Sequence, residues 1–271
     1  MTDVAGRVVL ITGGAGGLGR ALATRLAARG GHVALWDRDA HALERAADEV
    51  AAASGRRPHV DAVDVTDPAQ LDAGLAAVRQ ALGAVSVLVN NAGVASAGRL
   101  ADLDDDAITA TLAVNAVAPL LLTKRVLPDL VARDSGHVVT IASAVGLQGV
   151  GVARLSAYTA SKRAAVGLHE SVRHELRQEA PGVAHTLVCP YFIDTGLFAG
   201  TRPRWPRMLD LAPVADATVR AIERDRPLVR LPWLIRLVPV LNLLPTALTD
   251  RLADAMGVHR ALETFEGRSS T

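Results

Sequence analysis

Short runs of β-branched and aliphatic residues alternate along this chain with longer segments rich in alanine and leucine. Continuous apolar runs such as Val-Val-Leu-Ile predict strands that are covered on both faces, as in a parallel sheet between two layers of helices. The predicted strands are Arg7–Thr12, His32–Trp36, His59–Val63, Val85–Val89, His137–Ala142, Ala184–Cys189 and Leu228–Leu231. The predicted helices are Gly17–Arg29, Ala40–Ala53, Pro68–Leu82, Asp105–Arg133, Ser156–Glu179 and Val214–Arg224. The alternation predicts a doubly wound α/β fold of about seven strands.

Composition narrows the class of protein. The chain has 271 residues, half of them hydrophobic, and no Ser/Gly-rich linker divides it, so we expect a single domain over 1–271 with a large core. The 29 basic and 28 acidic residues nearly cancel, and therefore the charge does not favour a nucleic-acid partner. Cys189 is the only cysteine, which excludes an intrachain disulfide and a cysteine-cluster metal site; we expect no metal.

Targeting signals are not apparent in the sequence. The first residues lack the charged start and apolar stretch of a signal peptide. The longest uncharged windows, 107–123 and 138–153, are shorter than the roughly 18 apolar residues typical of a membrane span. We therefore expect no membrane span and a cytoplasmic location.

A glycine-rich loop follows the first predicted strand and opens the first helix. In Thr12-Gly13-x-x-x-Gly17-x-Gly19 the glycines permit a tight turn, and the helix amino terminus that begins near Leu18 attracts a pyrophosphate. The loop therefore predicts a dinucleotide site. The alternative is a strand-to-helix turn that binds no ligand.

Asp37 ends the second predicted strand, eighteen residues after Gly19. A carboxylate there accepts hydrogen bonds from both hydroxyls of an adenosine ribose and repels a 2′-phosphate, which favours NAD over NADP. Two observations leave alternatives open. Asp37 could cap the next helix, a role that Asp39 could fill equally well, and the guanidinium of Arg38 could accommodate a 2′-phosphate.

Three side chains suggest proton transfer to or from a substrate oxygen. Tyr158 and Lys162 are four residues apart and share one face of a helix. A free tyrosine has a pKa of about 10, and we expect the ammonium of Lys162 to lower the pKa of Tyr158 into a range useful for a general base. Ser143 follows the fifth strand, where its hydroxyl could orient a substrate oxygen. Each residue taken alone could be an ordinary helix or capping residue.

Together these segments resemble the short-chain dehydrogenases/reductases. The glycine loop, Asn90-Asn91-Ala92-Gly93, Asn115, Ser143 and Tyr158-Thr159-Ala160-Ser161-Lys162 follow one another in the order of that family, within residues 7–195. The resemblance implies a Rossmann fold, a homodimer or homotetramer, and hydride transfer between a substrate carbon and nicotinamide C4. It also implies that Lys162 binds the nicotinamide ribose and that Asn115 holds a water that relays protons.

The resemblance extends to other cofactor contacts. Asp64 and Val65 end the third strand, where the family contacts adenine, and Asn91, Ala92 and Gly93 lie where it approaches the adenosine. Pro190 to Thr195 resembles the family segment in which the backbone of Ile193 and the side chain of Thr195 hold the nicotinamide carboxamide. This chain has Tyr191 where glycine is usual.

One branch of the family, the retinol dehydrogenases and membrane- or lipid-droplet-associated 17β-hydroxysteroid dehydrogenases, is similar in Leu35–Asp37, Ser161–Ser171, Thr186–Pro190 and Asp194–Phe198. That branch usually has an amino-terminal anchor, which we expect to be absent here. We expect residues 190–213 to form a substrate lid. The residues expected around a lipophilic substrate are Ser143, Ala144, Val145, Leu147, Val150, Tyr158, Tyr191, Phe192, Leu197 and Phe198. Arg202, Arg204 and Arg207 leave open an acidic or phosphorylated substrate.

Residues 228–256 form an apolar extension in which three prolines prevent one continuous helix. Its part 228–248 carries Arg230 and Arg236 among aliphatic residues. This segment could pack at the substrate entrance, form a subunit contact, or lie on a membrane surface.

The hypothesis from the sequence is an NAD-dependent oxidoreductase that acts on a lipophilic, steroid- or retinoid-like secondary alcohol or ketone, with Tyr158 as general acid/base. The first alternative is an NADP-linked ketone reductase of biosynthesis. The second, of another class, is a sensor or scaffold that binds a dinucleotide without turnover.

Overall fold

The seven predicted strands form one parallel sheet. The computed structural model describes residues 1–147, 151–201, 203, 206–241, 243–255, 262 and 265. The strands are β1 Val8–Thr12, β2 His32–Asp37, β3 His59–Ala62, β4 Val87–Asn90, β5 Gly136–Ile141, β6 Val183–Pro190 and β7 Leu228–Leu231. Their order in the sheet is β3-β2-β1-β4-β5-β6-β7, and every pair is parallel. The predicted single-domain Rossmann fold is confirmed.

Helices cover both faces of this sheet. They are α1 Gly17–Ala28, α2 Ala40–Ser54, α3 Pro68–Leu82, α4 Asp105–Leu112, α5 Ala118–Ala132, α6 Ser156–Glu179, α7 Leu211–Glu223, α8 Val238–Leu241 and α9 Thr246–Ala255. Side chains of α1, α2 and α7 form one buried cluster with the sheet, and side chains of α3, α5 and α6 form another. The continuous apolar runs of the strands therefore have a covering layer on each side.

The strand order places a crevice at the centre of the sheet. The chain runs outward from β1 to β3, then returns to add β4 on the other side of β1. Because all strands are parallel, the loops that follow β1 and β4 leave the sheet at the same edge and in opposite directions. Ligands of open α/β sheets bind at such a reversal point.

The long helix predicted over Asp105–Arg133 is interrupted at its middle. Residues Ala113–Val117 form a π-helical turn between α4 and α5, with Asn115 at its centre. A π turn inserts one extra residue into the helix and is frequent at functional sites. The sequence analysis missed this interruption, since alanine and valine at these positions carry no helix-breaking signal.

The segment Asp105–Ala132 is also the one helix in the described part of the chain that is long and apolar enough to cross a membrane. Its side chains Leu122, Val126 and Leu130 are buried against the sheet. Core helices of soluble proteins meet the same criterion of length and composition, so this feature by itself is not evidence of membrane insertion.

Two buried histidines pack edge to face between α6 and β6. The rings of His169, on α6, and His185 lie 4.4 Å apart between centroids, and the Nδ1 atom of each is buried without a hydrogen-bond partner in the described residues. Burial lowers the pKa of His169 to about 4 and that of His185 well below its usual value. Both rings are therefore neutral in the folded protein near pH 7.

These histidines predict sensitivity to acid. The unfolded chain binds protons on them below about pH 6.5 and the folded chain does not, so the free energy of unfolding is expected to fall as pH decreases from 6.5 towards 4. His169→Phe keeps a ring against His185 and removes one such group. It should reduce the pH slope of the unfolding free energy by up to about 1.4 kcal/mol per pH unit. Urea unfolding at several pH values measures the slope for the wild type and for His169→Phe. Identical slopes in the two proteins would contradict the lowered pKa of His169.

Candidate active site

A cavity of about 110 Å³ opens where β1, β4, β5 and β6 end. Most of the side chains and glycines predicted for the site line it. They are Gly13, Gly17, Leu18, Asn91, Ala92, Gly93, Ser143, Tyr158, Lys162, Pro190, Tyr191, Ile193 and Thr195. The chain therefore brings together, from five separate segments, the residues that the sequence predicts for cofactor, catalysis and substrate.

The glycine loop packs too closely for side chains at several positions, of which Gly13 and Gly19 bear on the cofactor site. Gly13 has a φ of +65°, and a Cβ there would lie 2.8 Å from the Cα of Ala92. A Cβ on Gly19 would lie 2.3 Å from the carbonyl oxygen of Gly13. Gly19 therefore allows α1 to pack closely against the loop, and it does not line the cavity.

The amino terminus of α1 is free to bind an anion. Gly16 precedes the helix without any side-chain cap, and the first turn contains no acidic residue. The first amides of a helix lack intrahelical partners, and their dipoles favour a negative charge. Gly17 and Leu18 line the cavity at this point. The residues present thus fit the pyrophosphate of a dinucleotide.

Asn91 fastens the loop after β4 to the loop after β1. Its Nδ2 atom donates hydrogen bonds to the carbonyl oxygens of Thr12, at 2.9 Å, and Gly13, at 3.1 Å. In return, the Thr12 hydroxyl accepts from the backbone amides of Asn91 and Ala92 at 3.1 and 3.0 Å. Asn91 therefore stabilises the backbone of the glycine loop, and its approach to the adenosine stays a prediction.

Asp37 contacts the glycine loop and does not cap a helix. Its carboxylate accepts from the amide of Ala15 at 3.1 Å, whereas Asp39 caps α2 by accepting from the amide of Ala42 at 2.9 Å. The capping alternative therefore belongs to Asp39. Asp37 lies outside the cavity lining, at the end of β2 and beside the loop, which is where a ribose attached to the pyrophosphate would extend.

Seven other predicted residues do not line the cavity: Asp64, Val65, Asn115, Ala144, Val145, Leu147 and Phe192. Asp64 accepts from the amide of Thr66 at 2.9 Å and from its hydroxyl at 2.7 Å, so it closes its own turn after β3. The other six are buried. A contact between Asp64 and adenine stays a prediction.

Ser143 and Tyr158 both line the cavity, and their hydroxyls lie within reach of each other for a hydrogen bond. Ser143 begins a short 3₁₀ turn, Ala144–Gly146, and its Oγ atom also lies 3.4 Å from the carbonyl oxygen of Pro190. Both residues are more than nine-tenths buried. Two hydroxyls in this arrangement can share one substrate oxygen.

Lys162 points along the same helix face as Tyr158. Its Nζ atom donates to the carbonyl oxygen of Ile141 at 3.0 Å and lies 5.6 Å from the centroid of the Tyr158 ring. Burial lowers the pKa of Lys162 to about 8, an effect that Cys189 partly opposes. The sequence could not indicate the contact with Ile141, because its acceptor is a backbone carbonyl.

The pKa of Tyr158 differs from the sequence expectation. Burial raises it above the usual value of about 10, and the hydrogen bond with Ser143 opposes this only in part. The Lys162 ammonium is directed at Ile141 and lies over the ring. Desolvation of the phenolate thus outweighs the expected effect of the ammonium.

Asn115 lies behind the cavity and supports it. Its amide group pairs with the backbone of Val94, accepting from the nitrogen at 2.9 Å and donating to the oxygen at 2.8 Å. It also donates to Ser161 Oγ at 3.0 Å, and the Ser161 hydroxyl donates to the Tyr158 carbonyl. Asn115 thus satisfies the backbone groups of Val94; the relayed water stays a prediction. Sequence reasoning missed Ser161, although it lies within the Tyr158–Lys162 motif.

Aromatic side chains cover the cavity from the segment after β6. Phe198 packs edge-on against Tyr158, with ring centroids 5.4 Å apart, and Phe192 contacts both Phe198 and Tyr191. The Tyr191 hydroxyl is buried without a hydrogen-bond partner among the described residues, and burial raises its pKa to about 12.

Of the lid residues predicted from sequence, Arg207 is exposed and does not line the cavity. Val150, Arg202 and Arg204 lie outside the described residues, as do 242 and 256 in the predicted extension.

Comparison with known proteins gives relatives for the whole chain. Residues 7–205 match the family model for short chain dehydrogenases. The chain is 35% identical to mouse "Epidermal retinol dehydrogenase 2", covering 98% of this chain and 87% of that protein. It is 37% identical to human "Retinol dehydrogenase 10", covering 97% of this chain and 86% of that protein.

Solved structures agree with the fold. A short chain dehydrogenase/reductase from Burkholderia phymatum in complex with NAD has a TM-score of 0.79 at 29% identity, covering 88% of this chain and 94% of that one. A short-chain dehydrogenase from Sphingobium yanoikuyae in complex with NADPH has a TM-score of 0.77 at 27% identity, covering 92% of this chain and 96% of that one. With the cavity, its glycine loop and its Ser143, Tyr158 and Lys162, these matches show that the chain belongs to the short-chain dehydrogenase/reductase family, in its retinol dehydrogenase-like branch, and is an NAD(P)-dependent dehydrogenase acting on CH–OH groups.

Proposed function

We propose that this enzyme transfers hydride between NAD and a lipophilic secondary alcohol or ketone of steroid- or retinoid-like character, with Tyr158 as general acid/base. The observation that carries the proposal is the pair of neighbouring hydroxyls, those of Ser143 and Tyr158, which line one cavity and are buried beneath an aromatic cover. The uncapped amino terminus of α1 and the adjacent Asp37 support the choice of cofactor.

The chain's own groups have distinct tasks in this reaction. A bound nicotinamide ring supplies the hydride donor or acceptor at its C4 atom. Ser143 donates a hydrogen bond to the substrate oxygen and orients it, while Tyr158 gives that oxygen a proton in reduction and removes one in oxidation. The buried ammonium of Lys162 lies over the Tyr158 ring. It stabilises the negative charge that the phenol oxygen gains when it loses its proton.

Apolar walls support a lipophilic substrate. Leu197, Phe198 and Tyr191 line the cavity on the side of the segment after β6, and Phe198 lies against the catalytic tyrosine. Such walls bind apolar surface and exclude water from the reacting atoms. The named relatives, two retinol dehydrogenases, agree with the lipophilic character of the proposed substrate.

The Asp37 carboxylate is expected to set the cofactor preference. Asp37→Ala removes a charge that repels a 2′-phosphate, and we expect the ratio of kcat/KM with NAD to that with NADP to fall about tenfold. Initial rates with each cofactor measure the ratio. Asp39→Ala is the matched control: it removes the cap of α2 and should lower thermal stability without changing the preference. An unchanged ratio in Asp37→Ala would favour the NADP-linked alternative.

The unpartnered hydroxyl of Tyr191 is expected to bind a polar group of the substrate. Tyr191→Phe should stabilise the free enzyme by about 1 kcal/mol, because it removes a buried polar atom without a partner, yet lower kcat/KM for the best substrate several-fold. Thermal unfolding and initial rates measure the two effects. If kcat/KM does not change, the hydroxyl has no role toward substrate.

Initial rates test the proposal as a whole. The purified protein is assayed with NAD and NADP against retinol, steroids, hydrophobic secondary alcohols and short polar alcohols, with Tyr158→Phe as the blank. The expected result is Tyr158-dependent turnover that prefers NAD and the lipophilic members. A preference for NADP would overturn the choice of cofactor, and a preference for polar alcohols would overturn the lipophilic substrate class. Cofactor binding without turnover of any panel member would favour the sensor alternative.

A further inference from the structure

All the phenylalanine and tyrosine rings of this chain lie in one cluster around the catalytic cavity. The chain has three phenylalanines and two tyrosines. Tyr158, Tyr191 and Phe198 line the cavity, and Phe192 contacts the rings of Tyr191 and Phe198. The fifth ring, that of Phe265, lies 6.3 Å from the ring of Phe198 between centroids. A residue 67 positions after Phe198 therefore reaches the cover of the active site.

Phe265 stands behind Phe198 as seen from the cavity. Phe198 packs edge-on against Tyr158, at 5.4 Å between centroids, and lines the cavity, whereas Phe265 does not line it. Leu262 is 3% exposed within the same buried cluster, and its carbonyl oxygen accepts from the amide of Phe265 at 3.2 Å. This turn holds the Phe265 ring against Phe198 from the side away from the cavity.

The cavity is small for the substrates proposed above. It has a volume of about 110 Å³, and part of its lining is the glycine loop that fits the dinucleotide. Sites for larger organic molecules have roughly 300–1,000 Å³. A fused-ring alcohol that shares the cavity with a nicotinamide ring therefore requires one wall to move outward.

The wall that can move is the one formed by Phe198. On the opposite side, Lys162 is bonded to the carbonyl oxygen of Ile141, and a Cβ on Gly146 would lie 2.5 Å from the Lys162 carbonyl oxygen. Tyr191 is bonded to the sheet, since its amide donates to Leu231 at 2.8 Å. Phe198 instead lies in a turn after β6, where its carbonyl oxygen accepts from the amide of Thr201.

We propose that Phe265 is a positioning residue for substrate specificity: it limits how far the Phe198 ring withdraws from Tyr158, and so sets the width of the lipophilic substrate that the site admits. The inference rests on the proposed function, because it places the substrate between the catalytic hydroxyls and Phe198. A smaller side chain at position 265 gives Phe198 room to withdraw. A larger one holds it closer to Tyr158.

A size series at position 265 tests the proposal in the full chain. The variants are Phe265→Ala, Phe265→Leu and Phe265→Trp, and the readout is kcat/KM for a steroid secondary alcohol divided by kcat/KM for octan-2-ol. Both substrates use the same catalytic groups, so a general loss of activity cancels from the ratio. We expect the ratio to rise about tenfold in Phe265→Ala, less in Phe265→Leu, and to fall about tenfold in Phe265→Trp.

Leu43→Ala is the matched control for loss of packing. Leu43 is buried in the cluster formed with α1, α2 and α7, and it does not line the cavity. The variant should lower the unfolding temperature and leave the ratio unchanged. The proposal would be overturned by a ratio that is constant through the series, that moves in the same direction in Phe265→Ala and Phe265→Trp, or that changes equally in Leu43→Ala.

Equilibrium binding separates this proposal from the proposed function. Retinol is fluorescent, so competition with retinol gives the dissociation constant of the steroid in the Tyr158→Phe background, where no turnover is expected. That constant should fall in Phe265→Ala and rise in Phe265→Trp. A graded series with no turnover by the wild type would support the role of Phe265 and contradict the proposed function. Turnover with a flat series would do the reverse, and absence of steroid binding in every variant would overturn both.

Discussion

Replacing Tyr158 by phenylalanine is expected to lower kcat about 1000-fold or more and to change the cofactor dissociation constant less than about threefold. The substitution removes only the hydroxyl that is hydrogen-bonded to Ser143. The ring remains, and with it the edge-on packing of Phe198 and the position of Lys162 over the ring. The structure of the cofactor site should therefore persist while proton transfer is lost.

Tyr191→Phe is the matched control for this experiment. The chain has only two tyrosines, and both line the same cavity, so the two variants make the same chemical change within one site. Initial rates give kcat, and fluorescence titration gives the cofactor dissociation constant. A Tyr158→Phe enzyme that keeps a tenth of the wild-type kcat, or a larger loss in Tyr191→Phe, would remove Tyr158 from the role of general acid/base.

Sequence patterns predicted the sheet well because its strands are buried on both faces. Such strands appear as short apolar runs, and β7, half-buried at the edge, was still found from its position in the alternation. The π turn at Ala113–Val117 was missed for a physical reason. A single extra residue in a helix changes the register of the side chains that follow, without requiring glycine or proline.

The site was predictable where its chemistry lies in side chains. Tyr158, Lys162 and Ser143 have the expected juxtaposition, whereas Ile141 contributes a carbonyl oxygen and could not be identified from its side chain. The raised pKa of Tyr158 depends on how completely the fold removes water from the hydroxyl, which spacing along a helix does not reveal. Asp37 and Asp39 were equivalent as caps in the sequence, and only the course of the backbone after β2 separated them.

Gly19→Ala is expected to raise the cofactor dissociation constant about 100-fold and to lower the free energy of unfolding by about 1–3 kcal/mol. The new Cβ would lie 2.3 Å from the carbonyl oxygen of Gly13, so the loop and the start of α1 must separate. The displaced carbonyl belongs to the residue that Asn91 holds from the loop after β4. The amides of Gly17 and Leu18 would then no longer converge on one phosphate position.

Gly167→Ala is the control that separates this local effect from a general intolerance of alanine. Gly167 lies in α6, and a Cβ there meets no atom within 4 Å, so the variant should bind cofactor as the wild type does and unfold at equal or higher temperature. Titration well below the unfolding temperature of Gly19→Ala ensures that the folded protein is measured. If Gly19→Ala binds cofactor normally while folded, α1 and its preceding loop do not form the pyrophosphate site, and the assignment of that site to the helix amino terminus is wrong.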